Sequence, residues 1–233
     1  MDLESAFILR AKPFQNTSLI LELIGDKSGR VSAIARGVKR KSSRTQGLFR
    51  PFAKVLVKLG GKGELKTINN IESVLNPYYL ADTALYCGLY MNEISLKLLA
   101  KAEGAGRFFL SYEKTLAALA QDKVADLELK YFEYNLLKEI GLAFDLARDF
   151  NGSRIEPDSY YNLHINKGLI KADNNPPAIS GKDLNDFKNR KELSDAALQS
   201  LKYFMRTMLN EALGGRPVKT RELLQDYLKL KNA

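Results

Sequence analysis

A chain of 233 residues is long enough for one large or two modest domains, and its 45% hydrophobic content, with Tyr 11 and Phe 11, can fill a core and excludes a disordered chain. No apolar run approaches the roughly 20 residues that span a bilayer, and one cysteine (Cys87) with one histidine (His164) excludes an internal disulfide and any cysteine-built zinc site. The formal charge of +9 is unevenly placed: residues 1–75 carry 14 basic and 6 acidic side chains, and the remainder is nearly neutral.

The first 75 residues read as β-structure. Short runs rich in branched and aromatic residues, at 6–11, 18–24, 30–35, 51–59 and 64–71, alternate with turn chemistry at 13–16, 26–29, 39–47 and 60–63. Five strands in so short a span predict a small antiparallel barrel as a domain over 1–77, and the five-stranded OB-fold is the commonest of these. Alternation in the fourth run turns Lys54 and Lys58 to one face and Val55, Val57 and Leu59 to the other. The glycine turn then presents Lys62, and Lys66 follows on the returning strand. Residues 36–66 hold ten basic side chains against one acid, Glu64. Such a concentration repels itself unless a polyanion neutralises it.

From about residue 78 the period becomes that of helices, which predicts a helical domain over 78–233 and an α+β protein overall. Segment 82–99 is apolar on most sides, as a buried central helix would be. Segments 105–120 and 125–140 follow with Phe108, Phe109, Tyr112 and Leu116, then Leu129, Phe132, Leu136 and Leu137, at helical spacing, and Gly141 as a C-terminal cap. The segment 145–178 is polar and turn-rich, and within it 160–165 and 169–171 flank Asn166-Lys167-Gly168 as a small β-hairpin insertion. Ser180 to Asp183 is a capping-box-like start, a helix over about 193–213 stacks Leu198, Leu201, Met205, Met208 and Leu209, and Thr220 caps a last helix over 221–230.

Neither a GxxxxGK[ST] phosphate loop nor a GxGxxG fingerprint is present, and the glycines at 60–63 lack the helix that follows such a loop. Cys87 sits in the apolar helix as a small hydrophobe, His164 reads as a structural or surface residue, and no Asp/Glu cluster would hold catalytic Mg²⁺. The expectation is a binding protein without cofactor or metal, not an enzyme.

Ala6-Phe7-Ile8-Leu9 with Thr17-Ser18-Leu19-Ile20-Leu21, Gly29-Arg30-Val31, the basic run from Ala35 to Arg44, Gly47 to Phe52, Gly61 to Thr67, Leu85 to Glu93 and Gly214 to Leu223 form an ordered set. Together they resemble the bacterial recombination mediator RecO family over nearly the whole chain. Many of that family carry a four-cysteine zinc module in the segment corresponding to 145–178. None of those cysteines is present, so the chain resembles the zinc-free branch, with hydrogen bonds and the hairpin holding the insertion. The resemblance implies an OB-fold followed by a helical domain, binding to single- and double-stranded DNA, and annealing of complementary strands. It also implies cooperation with RecR in loading RecA onto DNA coated by single-stranded-DNA-binding protein, in the cytoplasm at the nucleoid.

Phosphates are then expected at Arg36, Lys39, Arg40, Lys41 and Arg44 on the long loop and at Lys54, Lys58, Lys62 and Lys66 on the sheet, contacts that release counterions and carry no sequence information. Phe49 and Phe52 are the aromatics nearest the basic run and the candidates for base stacking, but strand alternation with the alkyl side assigns Phe52 to the core. The family's site for the acidic, Phe-ended tail of single-stranded-DNA-binding protein implies an apolar slot rimmed by cations. It falls here on Lys130, Phe132 and Leu136, with Tyr131 where the family has Arg. Phe132 and Leu136, four apart, would equally pack into a helical core. An OB-fold RNA-binding or ribosome-assembly factor fits the same charge pattern; preference for annealing DNA over binding a structured RNA separates the two.

Overall fold

The computed structural model describes residues 3–38, 48–74, 78–101, 106–121 and 125–231. Strands β1 (Glu4–Phe14), β2 (Ser18–Gly25), β3 (Gly29–Ala35), β4 (Lys54–Gly60) and β5 (Leu65–Ser73) close into a barrel in the order β1-β2-β3-β5-β4. These are the five expected runs, with one correction: β3 and β5 are parallel, through Ser32–Leu65, Ala33–Lys66 and Ile34–Thr67. The reason is topological. β4 follows β3 in the chain yet pairs with residues 4–7 of β1, and the hairpin return lays β5 against β3 in the same direction. Period-two alternation fills the barrel with Ala6, Ile8, Leu21, Leu23, Val55 and Val57 among others.

Outward residues of β1 and β2 that are nonetheless buried, Phe7, Leu9 and Ile24, mark the covered side of the barrel. Helices α1 (Asp82–Leu98) and α2 (Gly106–Ala120) lie there, with the Phe7 ring 5.3 Å from Phe109 and 5.1 Å from Tyr112. β1 shifts register between Ile8 and Arg10, and the extra residue, Leu9, gives its carbonyl to Asn92 Nδ2 at 2.9 Å. The Tyr112 hydroxyl donates in turn to Asn92 Oδ1 at 2.6 Å. All three residues are buried, so each polar group is satisfied by the next. Burial pushes the Tyr112 hydroxyl up, against the smaller opposite pull of Asn92.

The last helix, α6 (Lys219–Lys231), corrects another expectation. Thr220 lies inside its first turn, and the capping acceptor comes from α1. Glu93 accepts from Lys219 N (3.0 Å), Thr220 N (2.8 Å) and Thr220 Oγ1 (2.8 Å). Burial raises the Glu93 pKa, but hydrogen bonds from Lys97, Thr220 and Lys219 outweigh it and hold the carboxyl below its ordinary range.

The chain packs as two compact units, residues 1–132 with 218–233, and residues 133–217, divided within α3 (Ala125–Glu139). The helices α1, α2 and α6 therefore belong with the barrel. In the second unit the hairpin β6 (Tyr160–His164) and β7 (Gly168–Ala172) gains a third strand, β8 (Ile179–Ser180), too short for periodicity to reveal. Ser180 caps α4 (Gly181–Lys188), its Oγ accepting from Asp183 N at 3.0 Å, and α5 (Asp195–Ala212) buries Leu201, Phe204, Met205, Met208 and Leu209. Hydrogen bonds hold the irregular stretch before the hairpin: Asp149 Oδ1 accepts from Asn151 N (3.0 Å) and Ser153 N (2.9 Å), and Phe150 N donates to Leu169 O (2.7 Å). Among the described residues no group of three or more His, Cys, Asp and Glu is placed to hold a metal ion, and no described helix is long and apolar enough to cross a membrane.

Candidate nucleic-acid interface

Strand register decides where each barrel cation leaves the sheet. β1 and β3 end, and β4 begins, at one end of the barrel; the β2–β3 and β4–β5 turns lie at the other. At the first end Arg10 and Lys12 on β1, Arg36 after β3 and Arg50 before β4 are all exposed. Arg50 belongs there because its segment runs back along β1, with Ile8 N on Ala53 O (3.0 Å) and Phe52 N on Ile8 O (2.9 Å). Glu22, opposite Arg10 in register, is engaged by Ser32 Oγ at 2.9 Å and by Arg30 at 3.4 Å, so it does not neutralise Arg10. None of the four cations is in an ion pair with a described residue. Lys39, Arg40, Lys41 and Arg44 lie outside the described residues, in the stretch between Arg36 and Arg50.

The remaining expected cations divide. Lys58 is exposed on β4 opposite Asn70, with Val57 and Leu59 inward as alternation requires. Lys62 is exposed in the β4–β5 turn, at the opposite end from Arg36, where Gly61 takes the left-handed φ of +91° that favours glycine. Lys66 shares the parity of the inward-packed Ile68 and brings its Nζ to Gly61 O at 3.3 Å, so it does not join Lys58 on the outer face. Lys54 is on the face expected, but α2 lies over it: its Nζ is 2.5 Å from Glu113 Oε1 and 5.7 Å from the Phe109 ring centroid. The Tyr78 hydroxyl donates to the same Glu113 oxygen at 3.2 Å, and burial first, then that carboxylate, pushes it up.

Neither Phe49 nor Phe52 stands open for stacking, and Phe52 is buried, as the core reading has it. Phe49 packs half-buried against the barrel core, and Phe52, 6% exposed, adopts a φ of +69° and lies against Gly88 of α1, where a Cβ would come within 2.9 Å of its ring. Lys130, Phe132 and Leu136 also form no exposed slot. Phe132 and Leu136 are fully buried, Phe132 lying 5.4 Å from Phe108 and 6.2 Å from Tyr112, and Lys130 is buried. Arg10 and Lys12 fell outside the 36–66 charge window; their spacing, one on each side of Ala11 in a strand, is the signal that points to them.

A closed five-stranded barrel with this crossover, carried on a body of helices, is an OB-fold protein with a helical C-terminal part. Fold alone assigns no role. The model of the family described as Recombination protein O N terminal matches residues 1–77, and that described as Recombination protein O C terminal matches 83–228, so the chain belongs to the RecO family of recombination proteins. Among similar relatives, the DNA repair protein RecO of Coxiella burnetii (strain CbuG_Q212) is 36% identical over 225 residues, covering 95% of this chain and 97% of that one. Those of Dechloromonas aromatica (strain RCB), 34% identical over 99% of this chain and 98% of the relative, and Pasteurella multocida (strain Pm70), 32% identical over 97% and 95%, carry the same name. Membership assigns the chain to DNA repair and recombination.

Proposed function

We propose that this chain is a recombination mediator that binds single- and double-stranded DNA through its barrel cations and anneals complementary strands. With RecR it helps load RecA onto DNA coated by single-stranded-DNA-binding protein. The observation that carries this reading is the set Arg10, Lys12, Arg36 and Arg50, exposed at one end of the barrel with no carboxylate partner among the described residues, in a chain of a DNA repair family. Lys58 extends the surface along β4, and Lys39, Arg40, Lys41 and Arg44, which lie outside the described residues, are proposed to add to it.

The mechanism is electrostatic. Two phosphates about 10 Å apart repel by only about 0.4 kcal/mol in water, but a strand presents many. Guanidinium and ammonium groups on the barrel replace condensed counterions, and their release to bulk drives binding of any sequence. Two strands held against one cationic surface meet with less repulsion, and base pairing does the rest without nucleotide hydrolysis. A tail of single-stranded-DNA-binding protein docking at Lys130, Phe132 and Leu136 requires those side chains to be uncovered. Lys130→Glu, assayed for tail-peptide affinity alongside thermal stability, separates a lost contact from a lost fold.

The test is annealing of labelled complementary oligonucleotides, bare and coated with single-stranded-DNA-binding protein. Acceleration in both cases is expected. Tighter binding of a structured RNA with no annealing would favour the RNA-binding alternative and overturn the proposal.

A further inference from the structure

We propose a second anion site, in the unit formed by residues 133–217, that takes backbone phosphates of single-stranded nucleic acid; it rests on the reading above that the chain holds DNA strands. Residues 147–155 fold back on themselves, with Asp149 N donating to Ser153 O (2.9 Å) and Ile155 N to Ala147 O (3.0 Å). That pattern makes Arg148 and Arg154 a directly opposed, non-hydrogen-bonded bridge pair, the arrangement in which side chains are closest and like charges repel. The two arginines border a cleft of about 370 Å³ lined by Ala147, Arg148, Arg154, Ile155, Asn185 and Lys188. Lys188 brings a third cation from the last turn of α4.

Among the described residues no carboxylate lines the cleft, and the acids nearest in sequence are engaged: Asp145 accepts from Ala147 N at 2.7 Å. Asp149 holds the turn amides, Glu156 accepts from Lys171 (2.6 Å) and Ser159 (2.8 Å), and Asp186 pairs with Lys191 (3.3 Å). The Arg148 guanidinium meets only the neutral Gly152 carbonyl at 2.6 Å, and Arg154 and Lys188 are exposed, in no ion pair with a described residue. The carbonyl end of α4 would oppose an anion. Its carbonyls at Asn185, Asp186 and Phe187 are occupied by the amides of Asn189, Lys191 and Arg190, which damps that opposition. Three converging cations without a counter-charge are stabilised by an anion, and a guanidinium fork matches a phosphate bidentately.

Phe150 favours nucleic acid over an acidic peptide. It lies two residues from Arg148 on the same hydrogen-bonded turn, 53% exposed, with Lys167 Nζ 5.6 Å from its ring centroid. An exposed ring beside cations is a platform for a base whose phosphate the arginines hold. The site gives the annealing reaction a second hold, for a strand other than the one on the barrel.

The full chain carrying Arg154→Gln and Lys188→Gln, with unchanged Tm as the check on folding, tests this with labelled oligo-dT and with a complementary pair. Affinity for the first strand stays within about twofold of wild type. The salt slope of second-strand binding flattens by about 1.4, two phosphates' worth, and annealing slows about tenfold or more. Phe150→Ala weakens the second strand alone, by about tenfold. Wild-type annealing by the double variant overturns the site while leaving the strand-holding reading intact; absence of annealing by the wild-type protein overturns that reading and the site with it. Loss of polyglutamate binding with annealing preserved would assign the cleft to an acidic protein and overturn the proposal as well.

Discussion

Glu93→Ala removes the only link described between the start of α6 and a carboxylate of α1. It strips an acceptor from Lys219 N, Thr220 N and Thr220 Oγ1, and leaves Lys97 Nζ, 2.7 Å away, without that partner. Loss of a capping acceptor costs about 0.5–2 kcal/mol, and hydrogen bonds to a charged group are worth about 1.5–3 kcal/mol each when shielded. The Lys97 and Glu93 side chains are 25% and 16% exposed, so screening trims the sum, and about 2 kcal/mol of local stability is the expected loss. That corresponds to roughly thirtyfold faster amide exchange, since about 1.4 kcal/mol is a factor of ten. Native-state hydrogen exchange over residues 219–231, referenced to α2, reads it directly. The pH dependence has a fixed sign. The folded carboxyl titrates below its unfolded value, so its contribution is complete above the unfolded pKa and is lost as pH falls through the folded one. Protection of α6 in the wild-type protein should therefore fall in that acid range, and protection in Glu93→Ala should not. Unchanged exchange of α6 amides in the variant at neutral pH would refute the reasoning and leave the Tyr227–Asp82 and Arg221–Tyr90 contacts, Tyr86–Tyr227 stacking and apolar packing as the attachment.

Lys54→Ala should leave the salt slope of single-strand binding unchanged while lowering stability by about 1 kcal/mol or less, whereas Lys58→Ala should flatten the slope by about 0.7 at constant Tm; the reverse pattern would mean that the Glu113 pair is not what holds Lys54. Gly181→Ala places a Cβ 2.0 Å from the Glu156 carbonyl oxygen, so thermal melting should show a loss of about 1–3 kcal/mol, roughly 2–4 °C for each. A Tm equal to wild type would show that the 156–159 turn yields to the methyl group.

What could be read from the sequence was what neighbours in the chain decide. Strand alternation separated Lys58 from Val57 and Leu59, the Ser180–Asp183 spacing marked the start of α4, and Gly141, at a φ of +75°, closes α3 as its position implied. Interactions between residues far apart in sequence left no local trace. Thr220 looked like a cap because caps are judged from the adjacent residues, yet the acceptor is Glu93, 127 positions away. Lys54 looked like a free surface cation because alternation identifies a face and not what covers it; Glu113 lies 59 residues on. The parallel β3–β5 pair follows from β4 joining β1 and not β3, and turn composition at 39–47 carries no such information. Strand alternation places Phe52 in the core, and a left-handed backbone that turns it onto Gly88 is what buries it. The Arg148–Arg154 bridge leaves no signal in the sequence for the same reason as β8: a single pair or a two-residue strand has no period.

On the proposed function, exposed cations on the barrel hold DNA phosphates and the paired ones do not. The most direct test is the affinity for oligo-dT as a function of salt, in the wild-type protein and in a variant with Arg10, Lys12 and Arg36 changed to Gln. These three are exposed and outside any described ion pair, so Tm should be preserved. At about 0.7 per phosphate on single strands, the slope of log affinity against log salt should flatten by about 2 units, with the same loss for every sequence tried. A slope equal to wild type, with the variant folded, would contradict the account and place the DNA on another surface of the molecule.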